Sequence, residues 1–416
     1  MKKYSFLILA VAAVLSACNG GGNGVDTPVT MKLSEQQQEM LEVSNDFSFD
    51  LLREVVKAEK KDNIVLSPLS ASMLLGMVMN GAEGETLREM QDVLGFESEY
   101  PMEDINEYYK QLIDALPKLD KTNTVKLANS IWAQEGFPFY DSFLQTNKDY
   151  FYAKTDNVDF QEPSKAIVPI NKWAAQNTNN LIKEVIKEED IDESTVMVLA
   201  NALYFKGVWK EKFEKSSTRS MDFHLADGKT VKAEMMQQTE DFKYADVEGG
   251  KLLEMDYKEG KYCMDILLPN EGNNLRSMAG MLDATQWNQW LQALSTYPVV
   301  VRLPKVEVKY DVMLKDALKA MGMEEAFDRE AANFSKMSNY PLYMQVIKQF
   351  CYMKVDEEGT EAAAVTWGGM DAESAEPMRP KEFFAERPYL MVIREKQYGT
   401  ILFTAVIGKP AEKNIN

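Results

Sequence analysis

Apolar residues recur along the chain with two different periods, and these periods predict its helices and strands. Between residues 34 and 60 they follow one another at steps of three and four, which predicts an amphipathic helix. A second helix is predicted to begin at Pro68, because Ser67 is a good N-cap and proline needs no amide donor in a first turn. This second helix is apolar nearly all round, so we expect it to be buried.

From Val196 onwards the chain becomes richer in strand-forming residues. Residues 196–207 predict a central strand that is apolar on both faces except at Asn201, whose amide must find hydrogen-bond partners. Further strands are predicted at 299–310 and 342–355, with a short helix between them. Helices and strands are mixed and do not alternate as βαβ units, which favours an α+β fold.

The N-terminus has the pattern of a targeting signal. Two lysines precede an apolar run, residues 6–15, that is too short to span a bilayer. The Leu-Ser-Ala-Cys sequence that ends at Cys18 resembles a bacterial lipobox, in which the cysteine carries lipid after cleavage; an ordinary secretory signal is the alternative. We therefore predict a signal peptide at 1–17, a flexible tether at 18–33 and one domain at 34–411. The protein is then exported and lipid-anchored to a bacterial outer membrane, on its periplasmic or cell-surface face.

Charge and composition disfavour several classes of function. A formal charge of −19 repels phosphate backbones, so nucleic acid is not an expected partner. His224 is the only histidine and has no nucleophile motif near it, so we predict no enzyme, no metal site and no cofactor. Cys263 and Cys351 lie in apolar stretches and are interpreted as buried thiols rather than as a disulfide.

After residue 355 the sequence becomes small and polar. From Gly359 onwards, small residues occupy alternate positions. If the segment became a strand, one of its faces would therefore carry only small side chains. Pro377 sets a limit, because the interior of a sheet does not accept proline. The pattern predicts an exposed loop at about 359–382 whose first part, 359–376, can insert into a sheet; a merely flexible surface loop is the alternative.

Five segments, in order, resemble the serpin family of serine protease inhibitors. They are residues 63–81, 201–209, 303–306 with 318–327, 357–364 and 387–390. The resemblance covers residues 38–410 and implies three β-sheets, eight or nine helices, a monomer and an exposed reactive loop near the C-terminus. It also implies a suicide substrate: a serine or cysteine endopeptidase cleaves the loop, which inserts into the main sheet and traps the covalent complex. A non-inhibitory serpin that acts as a binding protein is the alternative.

The resemblance assigns roles to particular residues. Ser67 and Ser70 match serines beneath the centre of the main sheet, and Asn201 matches their amide partner. Trp209 matches the tryptophan where insertion begins, and Lys348 stands where many serpins have histidine. The hinge of the loop comprises Glu357, Gly359, Thr360, Ala362, Ala363 and Ala364.

The bond that a protease would cleave is less narrowly defined. The family's spacing from the hinge glycine points to Glu373–Ser374, which would suit a Glu-preferring protease. Other residues that could precede the cleaved bond are Met370, Ala372, Ala375 and Met378. Arg379 precedes Pro380, which disfavours trypsin-like enzymes.

Overall fold

A computed structural model of the chain describes residues 30–96, 100–192, 194–360 and 379–410. Within these ranges it has nine α-helices: α1 (Glu35–Ala58), α2 (Pro68–Met79), α3 (Gly84–Val93), α4 (Met102–Ala115), α5 (Asp141–Phe151), α6 (Pro163–Asn177), α7 (Leu275–Ala279), α8 (Ala284–Gln292) and α9 (Lys315–Ala320). Short 3-10 helices lie at Leu116–Lys118, Glu188–Asp190, Lys215–Ser217 and Glu325–Phe327. None of the helices in these ranges has the length and apolar character needed to cross a membrane.

The same ranges contain fifteen strands: β1 (Asn63–Leu66), β2 (Thr124–Gln134), β3 (Lys154–Val158), β4 (Met197–Val208), β5 (Arg219–His224), β6 (Thr230–Val247), β7 (Gly250–Asp256), β8 (Tyr262–Pro269), β9 (Ser295–Pro304), β10 (Val306–Met313), β11 (Lys348–Val355), β12 (Gly359–Thr360), β13 (Lys381–Phe384), β14 (Tyr389–Glu395) and β15 (Ile401–Ile407). They form three sheets. The largest has the order β1-β15-β14-β8-β7-β6-β9-β13, with β5 beside β6; the others are β12-β4-β2-β3 and β10-β11. The α+β class and the three sheets expected from the sequence are confirmed.

The centre of the core is formed by β8, β14 and β15, in which every residue is buried. Helix α2 packs against β15 on one side and β4 on the other. As predicted, Ser67 caps α2: its Oγ accepts a hydrogen bond from the Ser70 amide at 3.4 Å. Gly76 has no room for a side chain, because a Cβ there would lie 2.7 Å from the Tyr109 ring. The buried helix therefore packs closely between a strand of the largest sheet and a strand of a smaller one.

A second, smaller apolar cluster lies on the opposite face of β2 and β4. Helix α6 contributes Ile170 and Trp173, which pack with Trp132 of β2 and Ala202 of β4. The segment between α6 and β4 adds Ile186 and Ile191 to the same cluster. Helix α6 and the segment that follows it thus form an outer layer over this sheet.

Two predicted strands differ from the observed ones. The run 299–310 is divided at Pro304: β9 pairs with β6 in the largest sheet, whereas β10 pairs with β11. The chain therefore changes sheets at a residue that cannot donate to a strand ladder. The run 342–355 forms a strand only from Lys348, because β10 ends at Met313, which is the partner of Lys348.

Candidate functional site: a cleft between two strands

Strands β4 and β11 form the two walls of a cleft. They belong to different sheets in the described part of the chain. At the upper end, the short strand β12 lies between them: Gly359 and Thr360 pair with Val208 and Gly207 of β4, and Gly359 is bridged to Asp356. The two residues of β12 therefore occupy the upper end of the cleft, paired with β4 on one side and bridged to Asp356 on the other.

Below β12 the cleft opens into a cavity of about 620 Å³. One wall is the start of β4, residues 197–201, and the other includes Lys348 and Phe350 of β11. The residues of β4 that line the cavity are only half-buried, although they lie in the middle of the fold. Apolar residues from α2, α6 and the 334–347 segment complete the lining, among them Leu74, Val78, Ile170, Phe334, Met337 and Ile347.

The first turn of α2 holds both walls of the cleft on the inner side. On the β11 side, the Ser67 amide donates to Gln349 Oε1 at 3.0 Å, and Gln349 Nε2 donates to the Ser67 carbonyl at 2.8 Å. On the β4 side, the Ser70 hydroxyl donates to Asn201 Oδ1. Asn201 Nδ2 in turn donates to Asn129 Oδ1 of β2 at 2.6 Å, so the amide that required partners has them on both sides.

The family resemblance places Lys348 where many serpins have histidine and leaves open how the lysine is accommodated. The inward residue beside Ser67 is Gln349, whereas the Lys348 ammonium points outward and lies 3.2 Å from Asp190 Oδ2. The physical reason is the two-residue period of β11, in which Gln349, Cys351, Met353 and Val355 are buried and the residues between them are not. Counting back from Val355 would have identified Gln349 from the sequence.

Trp209 lies at the upper end of the cleft. Its indole Nε1 donates to the Asp356 carbonyl at 3.0 Å, and its amide donates to the Glu358 carbonyl at 3.0 Å. The indole ring stacks on Tyr257, with centroids 4.7 Å apart and planes 4° from parallel. The turn before β12 is therefore fixed to β4 through Trp209.

The hinge residues Gly359 and Thr360 are held closely. Gly359 has φ +137°, and a Cβ there would lie 2.2 Å from the Gly207 carbonyl oxygen, so only glycine fits. Thr360 is buried, and its hydroxyl lies 3.0 Å from the Tyr257 hydroxyl. A small polar residue at this position can enter the sheet without leaving an unpaired group.

Two glutamates in the turn before β12 are paired with cations. Glu357 accepts from the Thr218 hydroxyl at 2.8 Å and lies 3.1 Å from Lys305 Nζ. Burial raises the pKa of Glu357, but its hydrogen bonds with the backbone, Thr218 and Lys305 outweigh burial and leave the pKa below its usual value. Glu357 was assigned to the hinge from the sequence, but its contacts with Thr218 and Lys305 were not predicted.

Glu358 lies between two lysines, with Nζ atoms of Lys212 and Lys215 at 3.1 and 2.9 Å from its carboxylate. Hydrogen bonds from Lys215 and Lys212 lower the pKa of Glu358. Glu358 therefore fixes the turn to the segment that follows β4 as long as its carboxylate is ionised.

Several predicted site residues lie outside the described residues: Cys18, Ala362, Ala363, Ala364, Met370, Ala372, Glu373, Ser374, Ala375 and Met378. The two remaining cysteines are described, and both are buried and free, as predicted. Burial raises the pKa of the Cys351 thiol to about 12. Burial raises the pKa of the Cys263 thiol as well, so both thiols favour the protonated form near neutral pH.

One cluster of possible metal ligands occurs among the described residues, at Glu254, Cys263 and Asp265. Arg394 Nε donates to Asp265 Oδ2 at 2.6 Å, and Lys396 Nζ donates to Glu254 Oε1 at 2.6 Å. The carboxylates are already paired with two cations, so we interpret the cluster as a buried ion-pair network in the largest sheet.

Comparison with known proteins agrees with this geometry. The model of the serpin (serine protease inhibitor) family matches residues 42–410, and the chain belongs to this family. It is 32% identical to chicken (Gallus gallus) neuroserpin over 377 residues, which cover 89% of this chain and 91% of neuroserpin. It is 33% identical to mouse (Mus musculus) antithrombin-III over 357 residues, 84% of this chain and 77% of that protein.

Solved structures show the same fold. The native structure of tengpin, a thermophilic serpin, has a TM-score of 0.82 at 28% identity and covers 92% of this chain and 97% of tengpin. Human thyroxine-binding globulin has a TM-score of 0.81 at 27% identity, with 90% of this chain and 100% of that chain covered. The matching structures thus include a thyroxine-binding globulin that was also solved in complex with thyroxine.

We predict that Gly359→Ala destabilises the intact protein by about 1–3 kcal/mol, the usual cost of a strained backbone position. The added Cβ would collide with the Gly207 carbonyl and separate β12 from β4. Urea unfolding measures the loss. The matched control is Gly322→Ala, since Gly322 has φ +112° but an added Cβ there would meet no atom within 4 Å. Equal losses in the two variants would show that the contact with Gly207 has no role.

We also predict that the contribution of Glu358 to stability depends on pH. Its pKa is lowered in the folded protein, so its stabilising effect is present at neutral pH and is lost as the pH falls below about 4.3, the usual pKa of glutamate. Glu358→Gln should lower the urea midpoint at pH 7, and this effect should shrink progressively as the pH falls from about 4.3 through the lowered pKa of Glu358. The exposed Glu259 provides the control substitution, Glu259→Gln. A pH-independent effect of Glu358→Gln would contradict the ion-pair explanation.

Proposed function

We propose that the protein is an irreversible suicide-substrate inhibitor of serine or cysteine endopeptidases. The target cleaves the loop at about 359–382 and is acylated, and the freed loop then inserts between β4 and β11 before the acyl bond is hydrolysed. The observation that carries the proposal is β12: the first residues of the loop are already paired with β4 above an open cavity. An entering chain needs only to continue a strand that has begun.

The register of β12 defines where the rest of the loop would go. Six residues beyond Thr360, Thr366 would lie opposite Asn201 of β4, because the strands are antiparallel. The bridge between Asp356 and Gly359 places the same residue opposite Gln349 of β11. Thr366 would therefore enter between the two amides that α2 holds, and its hydroxyl is small enough and polar enough for that position.

The same register bears on the cleaved bond. Strand β4 has 12 residues, so a chain that starts opposite Val208 would fill its length when Met370 lies opposite Met197. Cleavage at Glu373–Ser374 would leave enough chain to fill the whole cleft and reach its lower end. Cleavage after Ala372 or Ala375 would do the same, which keeps these bonds as alternatives.

We further propose that the protein acts outside the cytoplasm, held by lipid on Cys18 to a bacterial outer membrane through the tether at 18–33. The support is the sequence pattern at residues 1–18 alone. The partner in this proposal is the target endopeptidase, bound covalently by a monomer.

The second candidate is a non-inhibitory serpin that acts as a binding protein. Thyroxine-binding globulin, a structural neighbour solved in complex with thyroxine, is the observation that favours it. The small residues at alternate positions after Gly359 argue against this candidate, because they suit insertion and a simple binding protein would not need them.

A panel of proteases tests the proposal directly. The protein is incubated with Glu-specific, elastase-like, subtilisin-like and trypsin-like enzymes, and the products are separated on denaturing gels and analysed by mass spectrometry. We expect a covalent complex with the Glu-specific enzyme and release of a C-terminal peptide that begins at Ser374. Cleavage of the loop by every active enzyme without any covalent complex would favour the binding protein instead.

The register makes a second prediction that compares adjacent residues. Thr366→Arg should convert the inhibitor into a substrate, because insertion would bury an unpaired cation beside Asn201 and Gln349. Val365→Arg places the same side chain on the outward face and should retain most complex formation. The ratio of complex to cleaved protein on denaturing gels measures both. If the two variants behave alike, the proposed register is wrong.

A further inference from the structure

An ion pair crosses the cleft on its outer side. Lys348 Nζ, at the start of β11, lies 3.2 Å from Asp190 Oδ2 and 3.4 Å from Asp190 Oδ1. The two side chains are only 12% and 9% exposed, respectively. The ammonium also lies 4.8 Å from the centroid of the Phe350 ring. Such a partly desolvated pair is stronger than an ordinary surface ion pair.

A second contact crosses nearby. Gln345 Nε2, in the segment before β11, donates to Ser194 Oγ, in the segment before β4, at 2.7 Å. These two contacts connect segments that strand pairing leaves separate, since β4 and β11 belong to different sheets in the described part of the chain. We call Lys348–Asp190 and Gln345–Ser194 together the cross-cleft contacts.

Asp190 is held in place by contacts within the outer layer, so it would not move together with Lys348. It ends a short 3-10 helix, and its Oδ2 accepts from the Lys187 amide at 3.0 Å. The neighbouring Ile186 and Ile191 are buried in the same apolar cluster as Trp173 of α6. Any movement of Lys348 away from β4 must therefore break the ion pair or displace this layer.

The ion pair lies at a position along the cleft that an entering strand would have to pass. In the register of Gly359 and Thr360, an entering strand places an outward-facing residue between Ala200 of β4 and Lys348 of β11. Ala200 packs against the outer layer, and Lys348 spans to that layer. The outward side chain would enter the space that the ion pair occupies, so the pair has to separate for insertion to pass this level.

We propose that Lys348 and Asp190 are positioning residues for inhibition: their ion pair, with the adjacent Gln345–Ser194 contact, opposes strand entry into the lower cleft and sets the rate at which the loop inserts. This inference rests on the proposed function, because it presumes an inserting loop. It gives Lys348 a role on the outer side of the cleft that is separate from the inner network of Ser67, Ser70 and Asn201.

The test uses the intact protein without any protease, so that only spontaneous insertion is followed. The main variant is Lys348→Met with Asp190→Asn, which removes both charges, leaves no lone buried ion and keeps an acceptor for the Lys187 amide. Lys348→Arg retains the pair. The control is Lys232→Met with Asp222→Asn, because that ion pair, at 2.8 Å, joins β5 and β6 within one sheet.

Each protein is incubated below its unfolding temperature, and the fraction that has become resistant to urea is measured over time on urea-gradient gels. We expect the double variant to convert about tenfold faster than the wild type, which corresponds to about 1.4 kcal/mol of activation free energy. Lys348→Arg and the β5–β6 control should stay close to the wild-type rate. If that double variant does not fold, Lys348→Gln with Asp190→Asn, which also leaves no lone ion, carries the same expectation.

A double variant that converts at the wild-type rate or more slowly would overturn the role of the cross-cleft contacts. A separate sample of wild type, cleaved in its loop by a non-target protease, distinguishes this result from failure of the proposed function. If cleavage gives the wild type no urea resistance, no loop inserts and both proposals fail. If cleaved wild type is resistant and the double variant still converts no faster, only the inference about Lys348 and Asp190 fails.

Discussion

The first turn of α2 is the constraint on which the rest of the structure depends. Its two serines lie side by side on a buried helix, yet they bind opposite walls of the cleft: Ser67 binds Gln349 of β11, and Ser70 binds Asn201 of β4. In the described part of the chain, each wall has hydrogen bonds to α2, although the two walls belong to different sheets. A single helix turn thus fixes the position of the cleft in a sheet region that lacks one strand, and it does so from the inner side alone.

The proposed insertion mechanism requires a metastable intact chain, and this arrangement is consistent with one. The upper end of the cleft holds the first two residues of a strand, fixed by Trp209, Tyr257 and two ion-paired glutamates, while the lower end remains a cavity. Completing the strand would add ladder hydrogen bonds on both sides and remove the cavity, and each of these changes is favourable. Under the proposed function, the intact chain is therefore less stable than a form of the same chain with the strand complete. In the same proposal, the contacts on the outer side of the cleft determine how readily the chain moves from one form to the other.

Local features of the sequence were sufficient to predict those parts of the site that depend on neighbouring residues alone. Ser67 and Pro68 define the start of α2, and the small residues at 359 and 360 enter a strand, as their size suggests. The two-residue period of β11 also indicates that Gln349 faces inward, although the family resemblance directed attention to Lys348. The partners of Glu358 and Lys348 could not be predicted, because they lie 146 and 158 residues away in sequence, and no local pattern links them.

Hydrogen–deuterium exchange before and after cleavage of the loop tests the central claim most directly. The cleft-facing amides of β4 and β11 should exchange quickly in the intact protein, because the strand between them is incomplete, and should become protected once the cleaved loop pairs with them. The increase in protection should be confined to residues 197–206 and 348–355, with β14 and β15 in the core unchanged. Equal exchange of β4 and β11 before and after cleavage would contradict the claim that this cleft receives the loop.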